Sequence, residues 1–180
     1  KKSISQNISN TLNALAKFGY TKEEFIENNI INNKALFEAA RKVFADNNSN
    51  SQDISSTLNA LANFDYTKKE LNEFINYKIL FGSIERVFTN NNSKPQDISN
   101  TLNALAKFGY TKEELNESIN DKLLEAAGKV LTSKKSISQN ISNTLNALAK
   151  FGYTKEEFNK SINNELLEAA GRVFANSSKP

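Results

Sequence analysis

The sequence contains no cysteine, histidine, methionine or tryptophan. Without cysteine there is no disulfide framework, thiolate metal site or redox thiol. Without histidine there is no imidazole acid, base or metal ligand. No apolar run approaches the roughly 20 residues that cross a bilayer, and the first residues do not read as a secretory signal. No segment alternates with period two, so no sheet is expected. Glycine (6) and proline (2) are scarce beside abundant Asn, Lys and Ile. That balance suits an AT-rich genome, such as that of an intracellular bacterium or a protozoan parasite. No cofactor, metal or small-molecule substrate is implied, no catalytic constellation stands out, and the chain reads as a non-enzymatic binding module of the bacterial or host cytoplasm.

What is present is one phrase written four times. ISNTLNALAKFGYTKEE occurs at Ile8–Glu24, Ile98–Glu114 and Ile141–Glu157, and ISSTLNALANFDYTKKE fills Ile54–Glu70. The matched Ile residues are 46, 44 and 43 residues apart. Repeats of this length are stacked helical units, each burying an apolar face on its neighbour. The expected fold is all-α, a right-handed α-solenoid of four helical-hairpin repeats at about 4–49, 50–93, 94–136 and 137–180. Residues 1–25 are identical to 134–158, as if a three-repeat block had been duplicated. The chain reads as a window onto a longer array.

Each repeat opens with helix A, expected from about Asn7 to Phe18 in the first. Ile8, Leu12, Leu15 and Ala16 form its apolar face. Asn7, Asp53, Asp97 and Asn140 are candidate N-caps, as are Ser5, Ser51 and Ser138. Gly19, Gly109 and Gly152 suit a left-handed C-cap, and Asp65 replaces them in repeat two. Thr21/Glu24, Thr67/Glu70, Thr111/Glu114 and Thr154/Glu157 have capping-box spacing and announce a short second helix, Thr21 to about Ile30 in the first repeat. Only the stretch between the Tyr of helix A and the Val of helix B varies in length. A break is therefore expected near Asn32-Asn33, Asn76-Tyr77, Asn120-Asp121 and Asn163-Asn164, followed by helix B, Lys122–Leu131 in repeat three. Ala-Ala-Gly at 126–128 and 169–171 would permit close helix approach.

The segment PQDISNTLNALAKFGY, Pro95–Tyr110, resembles the octotricopeptide and heptatricopeptide repeats. These are helical hairpins of organellar RNA-processing proteins, including the FAST-kinase-like group, often found beside a RAP domain. The resemblance covers helix A of all four repeats. Asn13, Asn59, Asn103 and Asn146 stand where the family's NTLWALA motif has Trp, and the Thr-Lys-Glu-Glu insert lengthens the unit. The resemblance implies an α-solenoid and RNA binding.

On a helical projection, Asn10, Asn13 and Lys17 lie opposite the apolar face of helix A. The equivalent sets are Ser56/Asn59/Asn63, Asn100/Asn103/Lys107 and Asn143/Asn146/Lys150. Stacked, they form a ladder of amides. An amide offers a donor and an acceptor together, and helical RNA-reading repeats spend two or three such side chains per base. The expected partner is single-stranded RNA. The alternative is a protein partner on an effector-type scaffold, or simply a solvated face. The net charge is +3. Helix A segments sum to zero, the Thr-capped segments to −4, the helix B segments to +2, and the loops and termini to +5. Positive charge therefore lies where repeats join. The repeated Phe-Tyr pairs (Phe18/Tyr20, Phe64/Tyr66, Phe108/Tyr110, Phe151/Tyr153) read as packing between helices. The Glu23-Glu24 pairs read as first-turn carboxylates facing a helix dipole.

Overall fold

A computed structural model describes residues 4–27, 32–115, 117–157 and 165–177. Among these there is no strand; residues 155–157 are helical, and so are ten longer elements. They are α1 (Ile4–Lys17), α2 (Lys22–Glu27), α3 (Asn33–Ala45), α4 (Ser51–Asn63), α5 (Lys68–Phe74), α6 (Tyr77–Thr89), α7 (Pro95–Lys107), α8 (Glu117–Thr132), α9 (Ser138–Lys150) and α10 (Glu165–Ser177). The chain divides into two compact units, Lys1–Val87 and Phe88–Pro180.

In the first unit, α1 lies along α4, and α3 packs against both. α2 and α5 also touch α3. The core is Leu36, Phe37, Ala40 and Val43 of α3 with Leu58 and Leu61 of α4 and Leu71 of α5, all at most 3% exposed. Truncating one such Leu to Ala costs about 2–5 kcal/mol. Aromatic rings close the layer: Phe37 meets Tyr66 edge-on at 4.7 Å, and Phe25 meets Phe64 edge-on at 5.0 Å. In the second unit α7 lies along α9, α8 packs on both, and α10 covers α8 and α9. Its core is Leu102, Leu105, Leu123, Ala126, Ala127, Val130 and Leu148.

The helix ends follow short-range chemistry. The Thr amides at 21, 67, 111 and 154 each donate to the Glu carboxylate three residues on, at 2.7–3.0 Å. Gly19, Gly109 and Gly152 have φ of +83°, +77° and +86°, and Asp65 holds the same position at +62°. After Gly19, the Tyr20 amide donates to the Leu15 carbonyl, the longer bond of a Schellman end.

Several expectations are corrected. Helix A begins at Ile4 and ends at Lys17. Asp53, Asp97 and Asn140 are not N-caps. They sit three residues inside, and their side chains accept from the amides of Asn50, Lys94 and Ile137. Ser51 and Ser138 are first helical residues, not caps. Breaks occur before Asn33 and Tyr77 as expected, but α8 runs through Asn120-Asp121. In that repeat residues 112–115 form turns, not a short helix. The Tyr-to-Val stretch there is shorter than in the first two repeats. The Asn120 amide takes up the carbonyls of Lys112 and Leu115 at 2.8 and 2.9 Å, so helix B extends back towards Glu117. The end of the first short helix and the 163–164 break lie outside the described residues. The close approach near Ala-Ala-Gly is made by the alanines, since Ala126, Ala127 and Ala169 are fully buried. A Cβ on Gly171 would meet nothing within 4 Å.

Candidate functional site

The ladder residues are what α4 and α7 leave to solvent. On α4, Ser51, Asp53–Ser55, Thr57, Leu58 and Ala60–Ala62 are all buried. The remaining positions are Gln52, Ser56, Asn59 and Asn63, one stripe at helical spacing. On α7 the same accounting leaves Pro95 at the first turn and then Gln96, Asn100, Asn103 and Lys107. Asn10, Asn13 and Lys17 stand on α1, with Asn10 and Lys17 exposed; Asn143, Asn146 and Lys150 stand on α9, with Asn146 and Lys150 exposed. The projection therefore placed every ladder residue on an accessible face. It missed the first rung, Gln6, Gln52, Gln96 and Gln139. The signal was present, because Gln occupies that position in all four repeats.

Within each unit, one set of polar joints fixes the register of neighbouring stripes. The Ser9 hydroxyl donates to Asp53 at 3.1 Å in the first unit, and the Asn140 amide donates to the Ser99 hydroxyl at 3.3 Å in the second. The Lys22 ammonium pairs with Glu70 at 3.0 Å, and Lys112 with Glu157 at 2.7 Å. Each ammonium also lies 5.8 Å from a ring centroid, Tyr66 and Tyr153 respectively. The Tyr66 hydroxyl donates to Asn33 at 2.6 Å, and the Tyr153 hydroxyl to Asn120 at 2.9 Å. Arg86 donates to the Phe44 and Asp46 carbonyls and to Asn47. Arg172 donates to the Leu131 carbonyl.

These joints shift the groups that make them. Burial, then the charges of Glu70 and Glu23, pushes the Tyr66 hydroxyl up to about 12. Burial raises Tyr153 as well. The Lys112 hydrogen bond, helped by the Thr154 amide, holds the Glu157 carboxyl down at about 2. Burial opposes ionisation of Glu70, but the hydrogen bonds from Thr67 and Lys22 outweigh it and its carboxyl is lowered. The Phe-Tyr pairs of the second and third repeats are packing groups inside the units, and so is Phe151: Phe64, Tyr66, Phe108, Tyr110 and Phe151 are buried, whereas Phe18 and Tyr20 of the first repeat are exposed, against expectation. The repeated Glu carboxylates are engaged as caps, and no cluster of metal-binding side chains occurs among the described residues. Nor is any described helix long and apolar enough to cross a membrane.

A second feature lies at the N-terminal end of α7. Asn90, Asn91, Asn92, Ser93, Lys94 and Pro95 face Lys129, Ser133, Lys134 and Lys135 across a cleft of about 610 Å³. Lys129 pairs with Glu125 at 3.0 Å. Lys94, Lys134 and Lys135 make no salt bridge with a described residue. Gln96, the first rung on α7, is two residues from Lys94. Composition counted the loop lysines, but only folding brings Lys94, Lys129 and Lys134–Lys135 together. Compared with family models and with curated proteins, the chain matches none.

Proposed function

We propose that this chain is a right-handed α-solenoid of four repeats, related to the octotricopeptide type, that binds single-stranded RNA without catalysing a reaction. The observation that carries this reading is the stripe on α4 and α7. Nearly all other side chains of those helices are packed away, and what remains is amide, hydroxyl and, on α7, one ammonium. Amides in register can read the edges of unpaired bases. The lysine cleft beside Gln96 supplies the positive charge that a phosphate chain requires.

Fluorescence anisotropy with random single-stranded RNA over a salt series tests the proposal. Affinity should fall as salt rises, with a slope of about −0.7 per phosphate contact. Changing Lys17, Lys107 and Lys150 together to Glu should weaken binding and flatten that slope by about 2. No binding at low salt rejects the RNA reading, and a pull-down then tests the protein-scaffold alternative. Binding that ignores the triple change rejects the ladder as the site.

A further inference from the structure

The three loops that join repeats share one turn. The amides of Ser49, Ser93 and Ser136 donate to the carbonyls of Asp46, Asn90 and Ser133 at 3.0–3.2 Å. The side chains of Asp46, Asn90 and Ser133 accept in turn from the amides of Asn48, Asn92 and Lys135 at 2.9–3.1 Å. The turn therefore needs an oxygen on its first side chain and asks nothing of the next two. Asn47-Asn48 and Asn91-Asn92 fill those places in the first two loops, and Lys134-Lys135 in the third. The residue before the next helix A is Asn50, Lys94 and Ile137 in turn. The Asn50 side chain caps α4, which an ammonium group cannot do for α7. Lys94 also sets a cation at the positive end of α7. Local structure thus accounts for none of Lys94, Lys134 and Lys135.

All three line the cleft of about 610 Å³, which lies wholly within the second unit, together with Lys129. Among its described lining residues there is no carboxylate and no aromatic ring. A cationic ligand would find no countercharge there, and a nucleobase no stacking partner. Glu125 neutralises Lys129 at 3.0 Å. Asp97 offsets part of the Lys94 charge, but it is buried and its carboxylate accepts from the Lys94 amide at 3.1 Å. Three exposed ammonium groups from two loops remain. A single phosphodiester carries one negative charge and would leave the cleft positive. Two or three linked phosphates match it. The volume suits such a ligand, since small-molecule pockets span about 300–1,000 Å³. The end of α7 is not itself the site: Pro95 has no N–H, and the Asp97 amide already donates to the Lys94 carbonyl at 2.9 Å.

We propose that this cleft binds a chain of two or three linked phosphates, held by Lys94, Lys134 and Lys135 as point charges. The bound anion also offsets the cation at the start of α7, so it stabilises the second unit. Linked phosphates are recognised here without a nucleoside, so the site stands whether or not the chain binds RNA. Two sources share this chemistry: a free polyphosphate, and the 5′-triphosphate end of an RNA.

Isothermal titration calorimetry of the chain with sodium tripolyphosphate at low salt tests it. One site should bind, about tenfold or more tighter than orthophosphate under the same conditions. Lys94→Gln, and Lys134→Gln combined with Lys135→Gln, should each weaken binding about tenfold. Lys69→Gln, at an exposed lysine of the first unit, should leave it unchanged. The three cleft lysines are exposed, so circular dichroism should show helicity unchanged in their variants. Absence of tripolyphosphate binding overturns the proposal. So does affinity no higher than for orthophosphate, or cleft variants that bind like wild type. An oligoribonucleotide with a 5′-triphosphate, set against the same strand with a 5′-hydroxyl, then identifies the source. A preference of about tenfold for the triphosphate assigns the site to an RNA end, and equal affinity assigns it to a free polyphosphate. Tripolyphosphate binding without RNA binding upholds this site and rejects the RNA reading. RNA binding without tripolyphosphate binding does the reverse.

Discussion

Arg86 ties α6 to the end of α3, and replacing it by Met should cost the first unit about 2–3 kcal/mol. Its Nη2 donates to the Phe44 carbonyl at 2.9 Å, and its Nη1 to the Asp46 carbonyl at 3.1 Å and Asn47 Oδ1 at 3.0 Å. The last carbonyls of a helix have no partner inside it. A hydrogen bond from a charged donor contributes about 1.5–3 kcal/mol when enclosed and less towards water. Asn47 is exposed, so the two carbonyl bonds carry most of the effect. A cation at a helix C-terminus adds about 0.3–1 kcal/mol. Against this, Nε is buried without a hydrogen-bond partner among the described residues, which takes back on the order of 1 kcal/mol. Arg86→Lys keeps the charge and one bond and removes the orphan Nε, so its loss should be about 1 kcal/mol. Urea unfolding followed by far-UV circular dichroism, with amide exchange at Asp46 as a local reporter, gives the order wild type, Lys, Met. An Arg86→Met protein within about 0.5 kcal/mol of wild type would refute the reasoning, as would a Lys variant weaker than Met.

Thr57 and Thr144 bury hydroxyls that have no partner among the described residues, whereas the Thr101 hydroxyl donates to the Asp97 carbonyl at 2.8 Å. Thr57→Val should therefore be neutral or stabilising by up to about 1 kcal/mol, and Thr101→Val destabilising by about 1 kcal/mol, in denaturant titrations. Asp65→Gly relieves a side chain held at positive φ and should raise stability by about 0.5–1 kcal/mol; Gly109→Ala, at +77°, should lower it by about as much. Glu157 has a folded pKa below its ordinary 4.5, so its contribution is present above that value and disappears as pH falls towards 2. Glu157→Gln should flatten that limb of the stability–pH curve. Tyr66 has the opposite sign: its contribution is full below the ordinary Tyr value of 10 and is lost as pH rises through about 12, which phenolate absorbance should record as a late step.

Local chemistry was the part of this fold most readable from sequence. Thr-x-x-Glu forms a capping box because its partners are three residues apart, and the glycine ends need only a positive φ. The same short-range logic misplaced the helix A start by three residues. Asp53 or Asn140 satisfies the rule equally well as a cap or as the group reaching back to one, and Lys94 and Ile137, at the actual caps, carry no oxygen acceptor to announce themselves. Repeat three escaped because its helix start is settled by Asn120 reaching eight residues back to Lys112. The ladder was legible because it is a projection of a single helix. The lysine cleft was not, because Lys94 and Lys134 are forty residues apart. Lys42, Arg86, Lys129 and Arg172 put a basic residue before each Val, but two of the Arg86 acceptors are backbone carbonyls, which no side-chain pattern reveals.

The buried serine of helix A has a consequence for which repeats can follow one another. Ser9 donates to a carboxylate, whereas Ser99 accepts from an amide. A hydroxyl can reverse its role by rotating one bond. A repeat carrying Asp and a repeat carrying Asn can therefore follow the same preceding repeat without any compensating change. Exchange of whole repeats at the two junctions seen inside the units would therefore leave this hydrogen bond satisfied. The joint constrains the fold while leaving the acidic or amide identity of its second residue free.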